Sequence, residues 1–510
     1  MMANYKPVQC NGVFIAVMLS EQIVPGTFAF ALNHLVDNEL DLSALDARFN
    51  NDITGASAFD PRVMLKIVLL GYSRGLISSR RIALACEQDV QFMAISGDSR
   101  PSFSHIAKFV RNLQDVIQPV FKQVLLICDA QGLIGKEMFA IDGVKLPSNA
   151  SKERSGTHGE LNHRADRLDK AAAKILERHR ACDESKGGES LSDKAHMYRT
   201  KLQDEAQRMR EFVANTRPRL GAAGKEVKSN VTDNDSAKMA TSKGVIQGYG
   251  AQAAVDSKHQ VIVAADVIGA VAEHGALLPM IELTNVVRTD QTLITADAGY
   301  SEKGNLKALQ ERGIPALIAD NQMRKRDEAF ADRAKHKAKP HPLHNKTPVQ
   351  TSSGKYKASE FTYDAALDRA ICPMGKPMYA SGRQLEAKGV IYNYFKGTIK
   401  HCVPCPSRDQ CLRTPEKSRI RQVAIALERV DEATNPIVLM RDAIDSVRGR
   451  RLYSQRMGTV EPVFANIRYN KQLNRFTLRG KAKVNAQWHL YCLVHNIEKI
   501  ATLGPQVRLQ

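Results

Sequence analysis

The sequence predicts a mixed α/β protein with a helical N-terminal region, and three observations carry that class. Apolar segments at helical spacing fill the chain up to about residue 130. Strand-like runs start at Met138 and return between Gly248 and Ala319, with helical segments between them. Charged or polar stretches interrupt this series twice. The resulting order is strand, long insertion, paired strands, helix, strand, helix, strand, large insertion, helices. Early antiparallel strands followed by βαβ crossovers build a single mixed sheet.

Taken in order, Pro61–Gly71 is a compact apolar helix that stops at its glycine. Ser78 and Ser79 precede a second helix, Arg80–Asp89. After the Gly97–Pro101 turn comes a third, Ser104–Leu113. Two short helices joined by a Gly/Pro turn suggest a helix-turn-helix, whose second helix would present His105, Lys108 and Arg111 to DNA.

Met138–Leu146 reads as a buried strand with one carboxylate, Asp142, at its middle. Glu160–Leu220 is highly charged and helical, with Leu161, Leu168, Ile175 and then Tyr198, Leu202, Met209, Val213 near heptad spacing. A break at Gly187-Gly188 makes it a helical hairpin. Gly248–Asp256 and His259–Ile268 form paired strands across a Ser257-Lys258 turn. A helix over Glu273–Arg288 follows, then a strand over Thr292–Tyr300 that ends in Asp297. Next come a helix over Lys303–Arg312 and a short strand over Pro315–Ala319. Residues 320–360 read as loop, and 436–500 as helical with interruptions near Gly458 and Gly480. The implied map is a helical DNA-binding domain over 1–130 and a first core part over 136–320 carrying the hairpin at about 155–220. A Cys-containing insertion over 321–435 and a C-terminal helical part over 436–500 complete it.

The chain holds 73 Lys and Arg against 54 Asp and Glu among 510 residues, a formal net charge of +19. Such an excess favours a polyanionic partner, most often nucleic acid. No segment reaches the roughly 18–20 apolar residues of a membrane span; the run Val13–Leu19 is too short and lacks the flanks of a signal peptide. Nine cysteines, an odd number, fit thiols in a reducing cytoplasm better than disulfides. The expected location is cytoplasmic, with the nucleoid.

Three carboxylates stand out. Asp142 lies within a buried strand, where an unpaired carboxylate costs several kcal/mol. Asp297 lies at the carboxyl end of a strand, where sites of α/β sheets assemble. Glu461 is the only acidic residue between Arg448 and Lys483, a stretch that includes Arg456, Arg468, Lys471 and Arg475. Thr459 reads as the cap of a helix with Pro462 in its first turn and Val460, Val463, Phe464 and Ile467 as its apolar stripe. Three such carboxylates can hold two Mg²⁺ or Mn²⁺ ions for in-line phosphoryl transfer. Separately, Cys372, Cys402, Cys405 and Cys411 include one Cys-x2-Cys knuckle and could make a structural Zn²⁺ site, with His401 as an alternative ligand. The other five cysteines read as core, as does the sole tryptophan, Trp488.

Several of these segments together resemble the DDE transposases of bacterial insertion sequences. Phe59–Lys66 with Gly71–Arg81 resembles the family's N-terminal helical domain, Ile141-Asp-Gly143 its first catalytic strand and Gly248–Asp256 its hairpin. Ala296-Asp-Ala-Gly-Tyr300 carries the second Asp. Thr459–Phe464, Arg475–Gly480 and His495-Asn496 resemble the C-terminal signature. The resemblance implies an RNase H-like sheet and a metal-binding triad of Asp142, Asp297 and Glu461. It also implies phosphate contacts from Tyr453, Arg456 and Arg468, in a basic stretch that continues to Lys471 and Arg475. The chain departs from the family pattern in two places: four residues separate Arg456 from Glu461 where three are usual, and Arg468 replaces Lys. The implied activity is cleavage at terminal inverted repeats and joining of the 3′-hydroxyl to target DNA by a homodimer or larger synaptic complex. A nuclease on the same fold without strand transfer, and an inactive DNA-binding descendant, are the alternatives.

Overall fold

A computed structural model describes residues 17–48, 57–186, 193–221, 224–241, 244–327, 355–387, 390–429 and 435–504. Most of the Val13–Leu19 run, the Gly187-Gly188 break and the greater part of the 320–360 stretch lie outside the described residues. The chain divides into two compact units, one up to Tyr300 together with Ser454 onward, the other Ser301–Tyr453.

The first unit opens with seven α-helices among the described residues: α1 (Phe28–His34), α2 (Ser43–Asp46), α3 (Pro61–Ser73), α4 (Ser79–Gln88), α5 (Val90–Ser96), α6 (Phe103–Arg111) and α7 (Ile117–Ala130). Local chemistry sets their ends. Asp60 accepts from the Arg62 amide and Pro61 takes the first helical position. Ser102 caps α6, and Gly97 at φ +57° ends α5 in the left-handed region. α3 is buried almost all round, Lys66 included, because that ammonium donates to Asn33 and Asp37 at 2.7 and 2.6 Å. The expected pair of helices is a triplet: α5, unforeseen in the sequence, stands between α4 and α6, capped by Asp89.

The sheet follows. Its elements are β1 (Met138–Pro147), β2 (Ser155–Gly156), α8 (His158–Lys186), α9 (Asp193–Asn215), β3 (Ser229–Asn230), β4 (Ala237–Thr241), β5 (Gly244–Asp256), β6 (Ile262–Ile268), α10 (Leu277–Thr284) and β7 (Leu293–Ala296). β1 is central, antiparallel to β5 and parallel to β7. β5 is long enough to carry both β4 and β6 on its far edge. α8 and α9 form the expected hairpin, sealed by Ala165, Ala206 and Met209, with β2 pairing β3 at its base. The helix expected from Glu273 begins later. Glu273 precedes a 3-10 turn, and α10 starts only at Leu277.

The second unit contains α11 (Lys303–Glu311), β8 (Ala316–Ile318), α12 (Met323–Arg326), β9 (Thr362–Asp364), β10 (Arg369–Ile371), β11 (Pro377–Ala387) and β12 (Val390–Lys396). It continues through α13 (Ile399–Cys402), α14 (Arg408–Cys411), β13 (Gln422–Arg429) and α15 (Pro436–Asp445). Where the sequence suggested an irregular insertion, five strands form an antiparallel sheet ordered β13-β12-β11-β10-β9. Its core is small: Phe361, Ala370, Met378, Phe395 and Val423. β9 and β10 are only three residues long, too short to show a period of two in the sequence.

α16 (Val447–Ala465) and α17 (Lys481–Leu503) complete the chain. The expected break at Gly458 is absent. Thr459 is not a cap; its hydroxyl donates to the Gln455 carbonyl one turn back. Pro462 is not in a first turn but inside α16. Its missing N–H would leave the Gly458 carbonyl orphaned, and the Gln260 side-chain amide fills that role at 3.0 Å. Gly480, at φ +82°, does start a new helix. α17 is buried nearly all round and binds helices to sheet. Tyr491 stacks on Tyr72 of α3 with ring centroids 4.6 Å apart, and the Trp488 indole donates to the Gln252 carbonyl of β5 at 2.9 Å. Trp488 is therefore core, as its sequence context suggested. Cys86, Cys128 and Cys492 are buried as well; Cys10 lies outside the described residues.

Candidate active site

The register of the sheet brings two of the three expected carboxylates together. β1 and β7 run parallel with Ile141 beside Ala296 as the last pair. The next residues along each strand are Asp142 and Asp297, so the two acids occupy neighbouring strands about 5 Å apart. On the other side Asp142 faces Ala253, a side chain too small to fill the space. Like charges at such a position destabilise the sheet, and burial aggravates it. The Asp142 carboxyl is accordingly pushed above its ordinary range, first by burial and also by Asp297, while Arg456 and the Gly143 amide pull it down. Arg456 Nη1 lies 2.8 Å from Asp142 Oδ2, and the Gly143 N–H donates to Oδ1 at 2.8 Å. The Gly299 N–H holds Asp297 Oδ1 at 2.8 Å in the turn after β7.

A third carboxylate joins them, and it is Glu273. A side-chain carbon on Gly299 would meet Asp297 Oδ1 and Glu273 Oε2, each at 3.0 Å, so glycine is the residue that lets both acids close on that turn. Lys145, from β1, lies 3.6 Å from Glu273. The Glu273 carboxyl is pushed up chiefly by burial, with Asp297 and Asp142 adding and Lys145 opposing. Beneath them Tyr300 is fully buried and donates to the Gln252 side chain. Its phenol is raised by burial first and then by Asp142, Glu273 and Asp297. Nothing local in Gly-Ala-Val-Ala-Glu273-His marks a site; only the fold supplies that information.

Glu461 stands elsewhere on its helix. It is exposed. Arg456 faces the sheet, and five residues further along an α-helix is a rotation of about 140°. The extra residue between Arg456 and Glu461 has this consequence: the two side chains do not share a face. Among the described residues, no three His, Cys, Asp or Glu side chains already stand close enough to hold a metal ion.

The remaining predicted positions divide cleanly. His105, Lys108 and Arg111 are exposed on the outer face of α6, opposite buried Ile106 and Val110. Arg475 is exposed and reaches the Ser148 carbonyl at 3.2 Å. Arg468 is half-buried, its guanidinium 5.8 Å from the Tyr469 ring centre. Lys471 has turned inward, buried and paired with Glu498. Tyr453 is half-buried in the first half of α16.

Two family models match the chain. The one described as Transposase domain (DUF772) covers residues 17–112, the helices α1 to α6. The one described as Transposase DDE domain covers residues 371–501 and so includes Arg456 and Glu461. These two matches support a DDE transposase of an insertion sequence. No curated protein matches it. Asp142, Glu273 and Asp297 lie between the two matched segments; the β1–β7 register pairs the two aspartates, and the turn before α10 adds Glu273. No helix among the described residues is long and apolar enough to cross a membrane.

Proposed function

We propose that this transposase cuts DNA at the ends of its element and joins the freed 3′-hydroxyl to target DNA at the Asp142–Asp297 site. The observation that supports this most is the pairing of two half-buried carboxylates by parallel strands, with one of them raised in affinity for its proton. Groups whose charge the fold opposes in this way mark sites that await a cation. The oxygen donors suit Mg²⁺ or Mn²⁺. Bound there, two such ions would supply an activated attacking oxygen and a stabilised leaving oxygen. Asp142 and Asp297 would hold and space those ions. Arg456, now on Asp142, would be free to grip a phosphate once a cation replaced it. The C-terminal signature supports Glu461 as the third oxygen donor, and the position of Glu273 beside Asp297 supports Glu273. His105, Lys108 and Arg111 would bind the terminal repeats, and two ends require at least two protomers.

The test is cleavage of a labelled duplex carrying the DNA that flanks this gene, with Mg²⁺. Strand-specific cuts followed by joining to a second duplex support the reading. Cutting without joining would make the protein a nuclease, and binding without cutting a DNA-binding descendant. Glu273→Gln and Glu461→Gln, run in parallel, decide the third donor by which one abolishes the cuts.

A further inference from the structure

The second unit holds a cluster of thiols that the DNA-cutting chemistry does not use. β10 ends directly before Cys372, and Cys372–Lys376 closes a tight turn. In that turn the Cys372 N–H donates to the Lys376 carbonyl at 3.0 Å and the Gly375 N–H to the Cys372 carbonyl at 2.8 Å. Gly375, at φ +70°, permits the turn, and the Lys376 N–H then points at Cys372 Sγ from 3.4 Å. Beyond β12, α13 delivers Cys402 at its last position, and α14 delivers Cys411. Arg408 locks the segment between them by donating to the carbonyls of Cys402, Pro415, Ser418 and Arg419.

These separate pieces of chain line one cavity, whose walls include Cys372, His401, Cys402, Cys405 and Cys411. Cys402 Sγ sits so near the chain at Gly397 that a side-chain carbon there would lie 2.5 Å away. Against the same cavity, His401 Nδ1 is buried with no hydrogen-bond partner. A buried nitrogen without a partner is costly and calls for an explanation. All four cysteines are free thiols. The apolar core beside them is five residues, with Cys372 and Cys411 packed against it. A core of that size seldom holds a sheet without a staple.

We propose that Cys372, Cys402, Cys405 and Cys411 bind one Zn²⁺ as thiolates and that this ion folds the second unit. Each thiol releases its proton to solvent on binding, and no oxidant is involved. Soft sulfur donors fit structural zinc rather than Mg²⁺. The thiols line the cavity without forming a ready cage, and binding draws them inward. His401 then donates from Nδ1 to a metal-bound sulfur, which gives that nitrogen its partner. The inference does not depend on the DNA-cutting reading.

The test uses the full chain purified under reducing conditions. Metal analysis should find about one zinc per chain. Co²⁺ exchanged into the protein should give sulfur-to-metal charge transfer and the visible bands of a tetrahedral site. Cys405→Ser should lower zinc content about tenfold or more, whereas His401→Ala should retain it. Should Cys405→Ser fail to fold, alkylation of the wild-type protein keeps the test open. Zinc should protect Cys372, Cys402, Cys405 and Cys411 from iodoacetamide, and a chelator should expose them together with new protease sites inside 355–429. Zinc-free protein that takes up neither Zn²⁺ nor Co²⁺ would overturn the proposal, and loss of metal in His401→Ala would overturn the four-thiolate ligand set.

Discussion

Arg456→Gln isolates the contact on which the carboxylate pair now rests. The guanidinium is 10% exposed, its partner carboxylate 21%, and the two lie 2.8 Å apart. Removing one member of a fully buried pair costs about 3–5 kcal/mol. Asp142 keeps the Gly143 amide and some access to water, so about 2–3 kcal/mol is expected here. The pH dependence follows from the sign of the shift. The Asp142 carboxyl is already raised, so ionising it opposes folding once the pH passes its ordinary range. Without Arg456 it rises further. The penalty is therefore full at neutral pH and fades as acid protonates the group. Trp488, the only tryptophan, is buried against β5 and reports unfolding of this sheet by its fluorescence. Denaturant midpoints for wild type, Arg456→Gln, Asp142→Asn and the double variant should show a coupling of about 2 kcal/mol. Additivity within about 0.5 kcal/mol, or a penalty that grows in acid, would refute the account.

Three further outcomes are expected. Glu273→Gln removes a carboxylate that its neighbours and its burial disfavour, so in metal-free protein the Trp488 midpoint should correspond to a gain of about 0.5–1 kcal/mol, while stabilisation by added Mg²⁺ shrinks. His495 is held down to about 4, chiefly by burial, with Lys499 and Lys471 adding and the Gln260 carbonyl opposing. Its contribution is thus present above the ordinary histidine range and lost as pH falls toward 4, roughly 3 kcal/mol in all, and His495→Gln should flatten that acid limb of the unfolding curve. Replacing both Lys108 and Arg111 by Ala should weaken duplex binding, measured by anisotropy, and lower the slope of log affinity against log salt by about 2; an unchanged slope would remove α6 from the DNA interface.

Much of the architecture was legible because it is written in local chemistry. Asp60-Pro61 and Ser102 start helices through groups next to them in sequence, and Gly480 resets the chain through its own φ. The α8–α9 hairpin shows its spacing directly. What misled were features whose meaning depends on a distant partner. Gly458 and Pro462 look like a break, but Gln260 supplies the hydrogen bond that keeps α16 continuous. Lys471 looks like one more phosphate contact, but Glu498 draws it inside.

The sequence by itself determined the helical N-terminal region, the main strands and helices of the first sheet, the cationic balance and the two strand acids Asp142 and Asp297, since each follows from composition or short-range pattern. Tertiary structure alone decided which carboxylates meet. The β1–β7 register sets Asp142 beside Asp297, and the chain's return through the turn before α10 adds Glu273. Helical rotation turns Glu461 away from the face of Arg456. The β-turn at Cys372 and two short helices bring four thiols to one cavity. These are relations between segments far apart in the chain, and burial and register, which fix them, exist only once the sheet has formed.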